Sequence, residues 1–185
     1  MKTEVHVHGS VFLCKGVPLS QVEQALRPWL DYIEAEHITD AKSLEREEQG
    51  IIFDDNERVI SICWTGEVGR SFHGKLSEAC DSLGALSEYA SEVEVTYYPD
   101  TGEDEFHQFF IGPNPEAIHE FRRQCVIEDI NQLLSRHIGK SEVSQVTDLV
   151  AKLFDAHAPK KAACDTTTEA NATVVPLHPR NRHLH

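Results

Sequence analysis

The chain has 185 residues, a length typical of one well-buried domain. Its 17 Lys and Arg against 31 Asp and Glu give a formal net charge of −14, and 40% of its residues are hydrophobic. This composition argues against a mostly disordered chain, a membrane protein and a conventional nucleic-acid-binding protein, because phosphate contacts require clustered Lys and Arg.

The expected compartment is the cytoplasm. No stretch approaches the roughly 20 apolar residues of a membrane-spanning helix, and the first eight residues alternate between polar and apolar types instead of forming the apolar run of a signal peptide. The five cysteines are an odd number without CxxC spacing, which argues against a disulfide framework and against a zinc ribbon. Four of them lie in apolar patterns and are expected to be unreactive core residues: Cys14, Cys63, Cys80 and Cys125.

The N-terminal segment predicts a strand followed by a helix. Residues 4–13 alternate between apolar and polar side chains, the pattern of a half-buried strand. Ser20 and Glu23 then have the spacing of a capping box, and an apolar stripe continues to Ile33. Pro28 lies inside this stripe and predicts a kink or a division into two short helices, since proline donates no backbone hydrogen bond.

The middle of the chain predicts two β-hairpins separated by a helix. Residues 50–53 and 58–65 form the first pair of strands, around an acidic turn. A helical pattern occupies residues 72–86. Residues 93–98 and 105–111 form the second pair, joined by a turn that contains proline and glycine.

The C-terminal part predicts two helices and a tail. Asn114 as N-cap and Pro115 in the first helical position begin one helix, and Gly139 is expected to end it as a C-cap. A last helix occupies residues 141–154. From residue 158 to the end the composition changes to Ala, Thr, Pro and His without periodicity, which indicates a disordered tail.

This order of elements, β-α-β-β-α-β-β-α-α, predicts an α+β fold. Its first six elements follow the ferredoxin-like β-α-β-β-α-β order, so we expect an antiparallel sheet extended by an extra hairpin strand and two C-terminal helices. We expect a single acidic domain, residues 1–157, followed by the disordered tail, residues 158–185. The tail carries a net charge of +2, which leaves −16 on the predicted domain.

The most chemically suggestive motif is His6-Val7-His8 on the first predicted strand. Alternate residues of a strand project from one face, so both imidazoles are able to approach a single metal ion. A metal site usually has three or four ligands, and the sheet would have to supply the others from His73, Glu94 or His107. The alternative is a pair of half-exposed polar residues on an open sheet face.

A second candidate site precedes the middle helix. Residues 69–75 follow the G-x-x-x-x-G-K phosphate-loop pattern, but Leu76 stands where magnesium binding requires a hydroxyl group, which argues against nucleotide hydrolysis. The segment still gathers basic and hydroxyl side chains near a helix N-terminus, a setting that favours anions. The candidate anion-binding residues are Arg70, Ser71, His73 and Lys75. The alternative is an ordinary capped helix.

Two turns of the predicted hairpins are rich in carboxylates and are candidate interaction tips. They lack the ligand spacing of an EF-hand, so solvated turn residues are the alternative. The residues of the two tips are Asp54, Asp55 and Glu57, and Asp100, Glu103, Asp104 and Glu105.

These features predict a non-enzymatic interaction module that docks on a basic protein partner, such as a nucleic-acid-binding protein, by charge mimicry. In size, charge and lack of motifs the chain is similar to small acidic inhibitors carried by phages and mobile elements. The alternative is a small metal- or anion-binding enzyme that uses His6 and His8. A homodimer formed through an open sheet face or the last helix pair is a third interpretation. No cofactor, nucleic acid or membrane is an expected ligand.

Overall fold

The computed structural model describes residues 2–158 and 175–177, and the protein is a mixed α+β fold. The elements are β1 (Thr3–Phe12), α1 (Leu19–Tyr32), a 3₁₀ turn (Ile38–Asp40), β2 (Gly50–Asp54), β3 (Val59–Val68), α2 (Phe72–Gly84), β4 (Ser91–Tyr98), β5 (Glu105–Ile111), α3 (Pro115–Leu134), α4 (Lys140–Ala156) and β6 (Val175–Leu177). The helices and strands up to α4 follow the predicted order, whereas β6 lies in the segment predicted to be a disordered tail. The chain forms two compact units. We call the unit of the strands, α1 and α2 the sheet unit, and the unit of α3 and α4 the helical unit.

The strands of the sheet unit form one antiparallel sheet in the order β2-β3-β1-β4-β5-β6. Because every neighbouring pair is antiparallel, β1 and β2 run in the same direction with β3 between them. For the same reason β3 and β4 run in the same direction with β1 between them. Helices α1 and α2 therefore each connect two parallel strands that are separated by a third.

The hydrophobic core lies on one face of this sheet. The valines predicted to point inward from β1, at positions 5, 7 and 11, are all fully buried there. Trp29 of α1 lies edge-on to Trp64 of β3 with ring centroids 5.5 Å apart, and Phe72 of α2 contacts both rings. These aromatic side chains join α1, α2 and the sheet into one apolar layer, whose burial is the main favourable contribution to folding.

Helix α1 begins earlier than the capping box predicts. Its N-cap is Pro18, which makes no side-chain cap hydrogen bond, so the prediction that Ser20 caps the helix is wrong. The Glu23 carboxylate instead accepts a hydrogen bond from the backbone N of Ile38 at 3.3 Å. The helix is not divided at Pro28, because the buried residues on both sides of this proline hold it against the core.

The helical unit confirms one predicted cap and contradicts another. Asn114 Oδ1 accepts a hydrogen bond from Ala117 N at 2.8 Å, with proline in the first turn as predicted. Gly139 is the N-cap of α4 and not the C-cap of α3, because α3 already ends at Leu134. Val143 is the one buried hydrophobic residue in the described part of this unit.

The expectation that four cysteines are core residues is wrong for three of them. Cys80 is buried, but Cys63 and Cys125 are only half-buried and Cys14 is exposed. Cys14 follows the end of β1, and Cys63 lies on the face of β3 that points away from the core. All four are free thiols. An apolar sequence pattern therefore did not distinguish the two faces of the central strand β3.

The predictions of a disordered tail and of a single-domain boundary depend on residues that the structure describes only in part. The predicted tail, residues 158–185, lies outside the described residues except for Ala158 and β6, and the single-domain boundary stays a prediction. Within the described part of the chain, no helix has the length and apolarity needed to cross a membrane.

Candidate functional site

The face of the sheet opposite the core carries a series of polar and titratable side chains. Directly paired residues of antiparallel strands lie on the same face, so the register identifies the members of this surface. His6 is flanked by Thr65 on β3 and by Thr96 on β4. We call this surface the open face; its members on the three central strands are Glu4, His6, His8, Ser10 and Phe12, Val59, Ser61, Cys63, Thr65 and Glu67, and Glu94, Thr96 and Tyr98.

The loop before β2, residues 41–49, lies against β3 and carries glutamates to the open face. Leu44 N donates a hydrogen bond to the carbonyl oxygen of Thr65 at 2.9 Å. Ser43 Oγ accepts hydrogen bonds from Thr65 N at 2.9 Å and from Glu45 N at 3.2 Å. These contacts fix the path of the loop, because Thr65 is a buried residue of a central strand.

The Glu48 carboxylate is held on this loop by two hydroxyl groups. Its Oε1 accepts from Thr65 Oγ1 at 3.1 Å, and its Oε2 accepts from Ser43 Oγ at 2.5 Å. His6 Nδ1 lies 3.2 Å from Glu48 Oε1 and 2.9 Å from Thr65 Oγ1. Only 28% of the His6 side chain and 17% of the Glu48 side chain are exposed, so both groups are restrained.

The thiol of Cys63 completes a group of three metal-ligating side chains. One ligand atom from each of His6, Glu48 and Cys63 lies within 4.8 Å of the other two. Burial raises the pKa of the Cys63 thiol, and the negative charge of Glu48 raises it further. The structure therefore brings a nitrogen, an oxygen and a sulfur donor together on one side of the sheet.

A shallow hollow of about 300 Å³ lies beside this group. Its wall is acidic at three positions and aromatic at one, and it includes the imidazole of His6. The lining residues are Glu4, His6, Glu45, Glu48, Thr65 and Tyr98. Three carboxylates around one hollow favour a cationic occupant.

The comparison with known proteins places the chain in a family. A family model described as "Family of unknown function (DUF6806)" matches residues 3–155. The chain belongs to this family. No curated protein and no solved structure matches the chain. The matched residues include β1 to β5, α1 to α3 and all but the last residue of α4, so they contain every residue of the open face described above.

Within this family member most of the negative charge lies in residues 1–113. Residues 1–113 alone have a formal net charge of −14, equal to that of the whole chain. Residues 114–157 contribute −2, which the +2 of the following residues cancels. The negative electrostatic field of the protein therefore originates mainly from residues 1–113, which contain strands β1 to β5.

The residues expected to join His6 and His8 in a metal site do not all lie near them. Glu94 is directly opposite His8 on the open face, and the two imidazoles are stacked with ring centroids 6.2 Å apart. His107 is paired with buried Val95 on the face that the helices cover. Glu48 and Cys63 are the ligands that lie near His6, so the His6 and His8 pair stays a prediction without a third ligand among the described residues.

His73, the other expected ligand, lies on α2 and belongs to an aromatic cluster between this helix and strands β4 and β5. Its Nδ1 lies 3.1 Å from the hydroxyl of Tyr97, and its ring centroid is 5.0 Å from that of His107 and 5.1 Å from that of Phe109. Burial lowers the pKa of His73, and the neighbouring His107 lowers it further. Burial raises the pKa of Tyr97, with a further contribution from Glu105. Burial therefore favours the uncharged forms of His73 and Tyr97.

The four candidate anion-binding residues are not gathered around one point. His73 is directed to Tyr97, and Lys75 Nζ pairs with Glu78 Oε2 at 2.7 Å. Ser71 is the N-cap of α2 but makes no side-chain cap hydrogen bond. Arg70 is exposed. The anion site therefore stays a prediction.

The two acidic tips lie at opposite ends of the sheet. The turn between β2 and β3 lies beside the C-terminal end of β1, since Phe12 pairs with Val59. The turn between β4 and β5 lies beside the N-terminal end of β1, since Glu4 pairs with Tyr98. Eight residue steps along β1 separate these ends by about 27 Å. The structure therefore does not combine the tips into one patch, although each tip stays a candidate interaction site.

Within the first tip, Asp54 has a structural role. Its Oδ1 accepts hydrogen bonds from Asn56 N at 2.8 Å and from Glu57 N at 3.0 Å, which is the pattern of an Asx turn. Asp55 and Glu57 are exposed. The same holds for Asp100, Glu103, Asp104 and Glu105 of the second tip.

The position of Cys63 on the open face was not predicted, and Glu48 was missed altogether as a site residue. Glu48 lies in a segment, residues 34–49, that reads only as acidic and irregular. Its place beside His6 depends on the pairing of Gly50 with Cys63, because this pairing fixes where β2 begins. That pairing is a long-range contact that a local pattern does not contain.

Proposed function

We propose that this protein is a non-enzymatic binding module that docks a basic protein segment on its open face. The observation that carries this proposal is the hollow lined by Glu4, Glu45 and Glu48. A Lys or Arg side chain of the partner would enter the hollow, where the three carboxylates attract its charge. Tyr98 at the same hollow offers an aromatic ring for a cation–π contact.

The distribution of charge and apolar surface supports this interpretation. A net charge of −14 within residues 1–113 produces a field that accelerates association with a basic partner. Large apolar side chains are also exposed on the sheet. Phe12 is 48% exposed, Tyr98 39% and Phe106 40%. Exposed aromatic groups beside charged ones are typical of a protein–protein interface.

The finer details of the fold and partner are also part of the proposal. We infer a ferredoxin-like arrangement of the sheet unit, which is supported by its two helices that each join parallel strands across an intervening strand. A fold of this kind does not determine function. We propose a nucleic-acid-binding protein as the partner, because its basic groove would accept carboxylates in place of phosphates, and the cytoplasm as the compartment.

The proposal is tested with an oligo-arginine peptide as the probe, in buffer that contains a metal chelator. Fluorescence anisotropy measures its affinity for two variants that each lose three negative charges. The open-face variant is Glu4→Gln/Glu45→Gln/Glu94→Gln; the control, at exposed positions of the helical unit, is Glu116→Gln/Glu142→Gln/Asp148→Asn. The open-face variant should bind the peptide about tenfold more weakly than the wild type, and the control about twofold more weakly.

Equal weakening in both variants would contradict the proposal, since it would mean that only net charge matters. The wild-type affinity should also fall steeply between low and high salt, because exposed charges are screened. The mimicry part of the proposal is tested with a basic protein that binds duplex DNA. This protein should compete with the peptide for the open face, and duplex DNA should then displace the protein from the chain. If DNA does not displace it, the mimicry part is wrong, while the proposal of a docking face is unaffected.

A further inference from the structure

We propose that His6, Glu48 and Cys63 form a binding site for one divalent transition-metal ion of the zinc class. This inference goes beyond the docking function. It shares His6 and Glu48 with the docking hollow, and none of the three residues is changed in the docking variants.

The topology of the sheet explains why these three side chains meet. His6 is directly opposite Thr65 on β3, and Cys63 is two residues from Thr65 along the same strand, so both project from the open face. Gly50 is directly opposite Cys63 on the other side of β3. Glu48 precedes Gly50 by two residues, so its carboxylate lies beside Thr65, which is between His6 and Cys63 on this face.

The distances suit a shared ion. Zinc bonds of about 2.0–2.3 Å in a tetrahedral arrangement place the donor atoms about 3.3–3.6 Å apart. The observed separation between His6 Nδ1 and Glu48 Oε1 is 3.2 Å, and the three donors lie within 4.8 Å of one another. An ion would replace the direct contact between His6 and Glu48, and the thiol would reach it after a side-chain adjustment of about 1 Å.

The chemistry of the donors selects the class of ion. Calcium and magnesium prefer sites composed of oxygen ligands, whereas imidazole and thiolate favour zinc and its neighbours in the first transition series. As the sulfur–metal bond forms, the Cys63 thiol releases its proton to solvent. The thiolate and the Glu48 carboxylate together then carry two negative charges, which neutralise a divalent ion. His6 contributes a neutral nitrogen.

Groups around the ligands hold the carboxylate in place. Thr65 Oγ1 and Ser43 Oγ donate to the two oxygens of Glu48, and Ser43 Oγ is itself fixed by the backbone N of Thr65. Such outer hydrogen bonds are typical of metal sites, where they orient the ligands and raise affinity. Since three protein ligands leave one tetrahedral position for water, that position would be directed toward the acidic hollow that His6 and Glu48 line.

Cobalt(II) added to the reduced, metal-free full-length chain provides the primary test. We expect one equivalent to produce the charge-transfer absorption of a cobalt–thiolate bond. His6→Gln, Glu48→Gln and Cys63→Ser should each weaken cobalt binding at least a hundredfold, and Cys63→Ser should also remove the charge-transfer absorption. The matched controls each change another residue of the same type: His8→Gln, Glu47→Gln and Cys14→Ser. These controls should retain the cobalt affinity and the charge-transfer absorption of the wild type.

A second measurement needs no variant and therefore does not depend on folding of a mutant. Zinc should protect Cys63 from alkylation by iodoacetamide in the wild-type chain, as mapped by mass spectrometry, while exposed Cys14 stays reactive. The proposal is overturned if saturating cobalt gives no thiolate absorption, if the absorption survives in Cys63→Ser, or if zinc leaves Cys63 as reactive as before. Peptide binding is measured with chelator and metal binding without peptide, so each proposal fails independently.

Discussion

Gly50 lies directly opposite Cys63 at the start of the pairing between β2 and β3, and it occupies this position with a φ of +75°. A Cβ atom at Gly50 would lie 2.6 Å from the carbonyl oxygen of Ala41. Both observations require glycine here, because other residues rarely adopt this φ and the oxygen belongs to the backbone. This one residue therefore determines where the loop that carries Glu48 joins the sheet.

Gly50→Ala should destabilise the protein by about 3 kcal/mol, from backbone strain together with the steric conflict. Gly16→Ala is the matched control. Gly16 also has a positive φ, of +83°, but its Cβ would meet no atom within 4 Å. Its cost should be only about 1 kcal/mol. Urea denaturation followed by circular dichroism measures both values, and equal costs would argue against the conflict with Ala41.

Thr65→Val should weaken cobalt binding about tenfold, because it removes the hydroxyl that donates to Glu48 and contacts His6. Thr96→Val is the control, since Thr96 flanks the same His6 on the β4 side. The control should bind cobalt as the wild type does. Titration of both variants by absorption checks this, and a loss of similar size in Thr96→Val would point to a general effect of polarity on the open face.

Leu76→Ala should destabilise the protein by about 2–5 kcal/mol, since Leu76 is 1% exposed within the core between α2 and the sheet. The same substitution at Leu44, which is 60% exposed, should change the free energy of unfolding by less than about 0.5 kcal/mol. Thermal and urea unfolding of the two variants provide the comparison. A small effect at Leu76 would contradict the placement of α2 against the sheet.

Acidification should destabilise the protein through His73. Burial and His107 lower the pKa of His73 below its ordinary value of 6.5, so the unfolded chain binds a proton more readily than the folded one. The stability that His73 contributes is therefore present above pH 6.5 and is lost as the pH falls through its folded-state pKa. The charged or titratable groups that face it include Tyr97 and His107, with Glu105 beside them.

His73→Gln removes this titration, so its free energy of unfolding should vary less with pH between 7 and 5 than that of the wild type. Urea denaturation at a series of pH values measures the two slopes. Identical slopes would show that His73 is not the group responsible.

The order of elements was predictable because each depends on local patterns. The alternation in β1 identified the buried valines and the outward His6, and Asn114 with Pro115 identified the start of α3. The errors arose where two signals compete within a few residues. Pro18 begins α1 before Ser20 is able to cap it, and Gly139 begins α4 instead of ending α3. The type of a residue indicates a helix boundary more reliably than it indicates which side of the boundary is helical.

The candidate site was predictable only in part. The strand period placed His6 and His8 on one face, which is the face that β1 turns away from the core. It did not identify Glu48 or assign Cys63 to that face, because these depend on the register of β3 against its two neighbours. His107 and His73 were expected nearby and lie on the other face, since β5 presents His107 beside buried Phe109 and Val95.

The concentration of negative charge in residues 1–113 has a consequence for pairing between copies of the chain. Two molecules that met through their open faces would each bring Glu4, Glu45 and Glu94 against the same carboxylates of the other. Repulsion of this kind would oppose pairing through the open face in dilute buffer. A cation held between two open faces would weaken this repulsion, so pairing through this surface would depend on the counter-ions present.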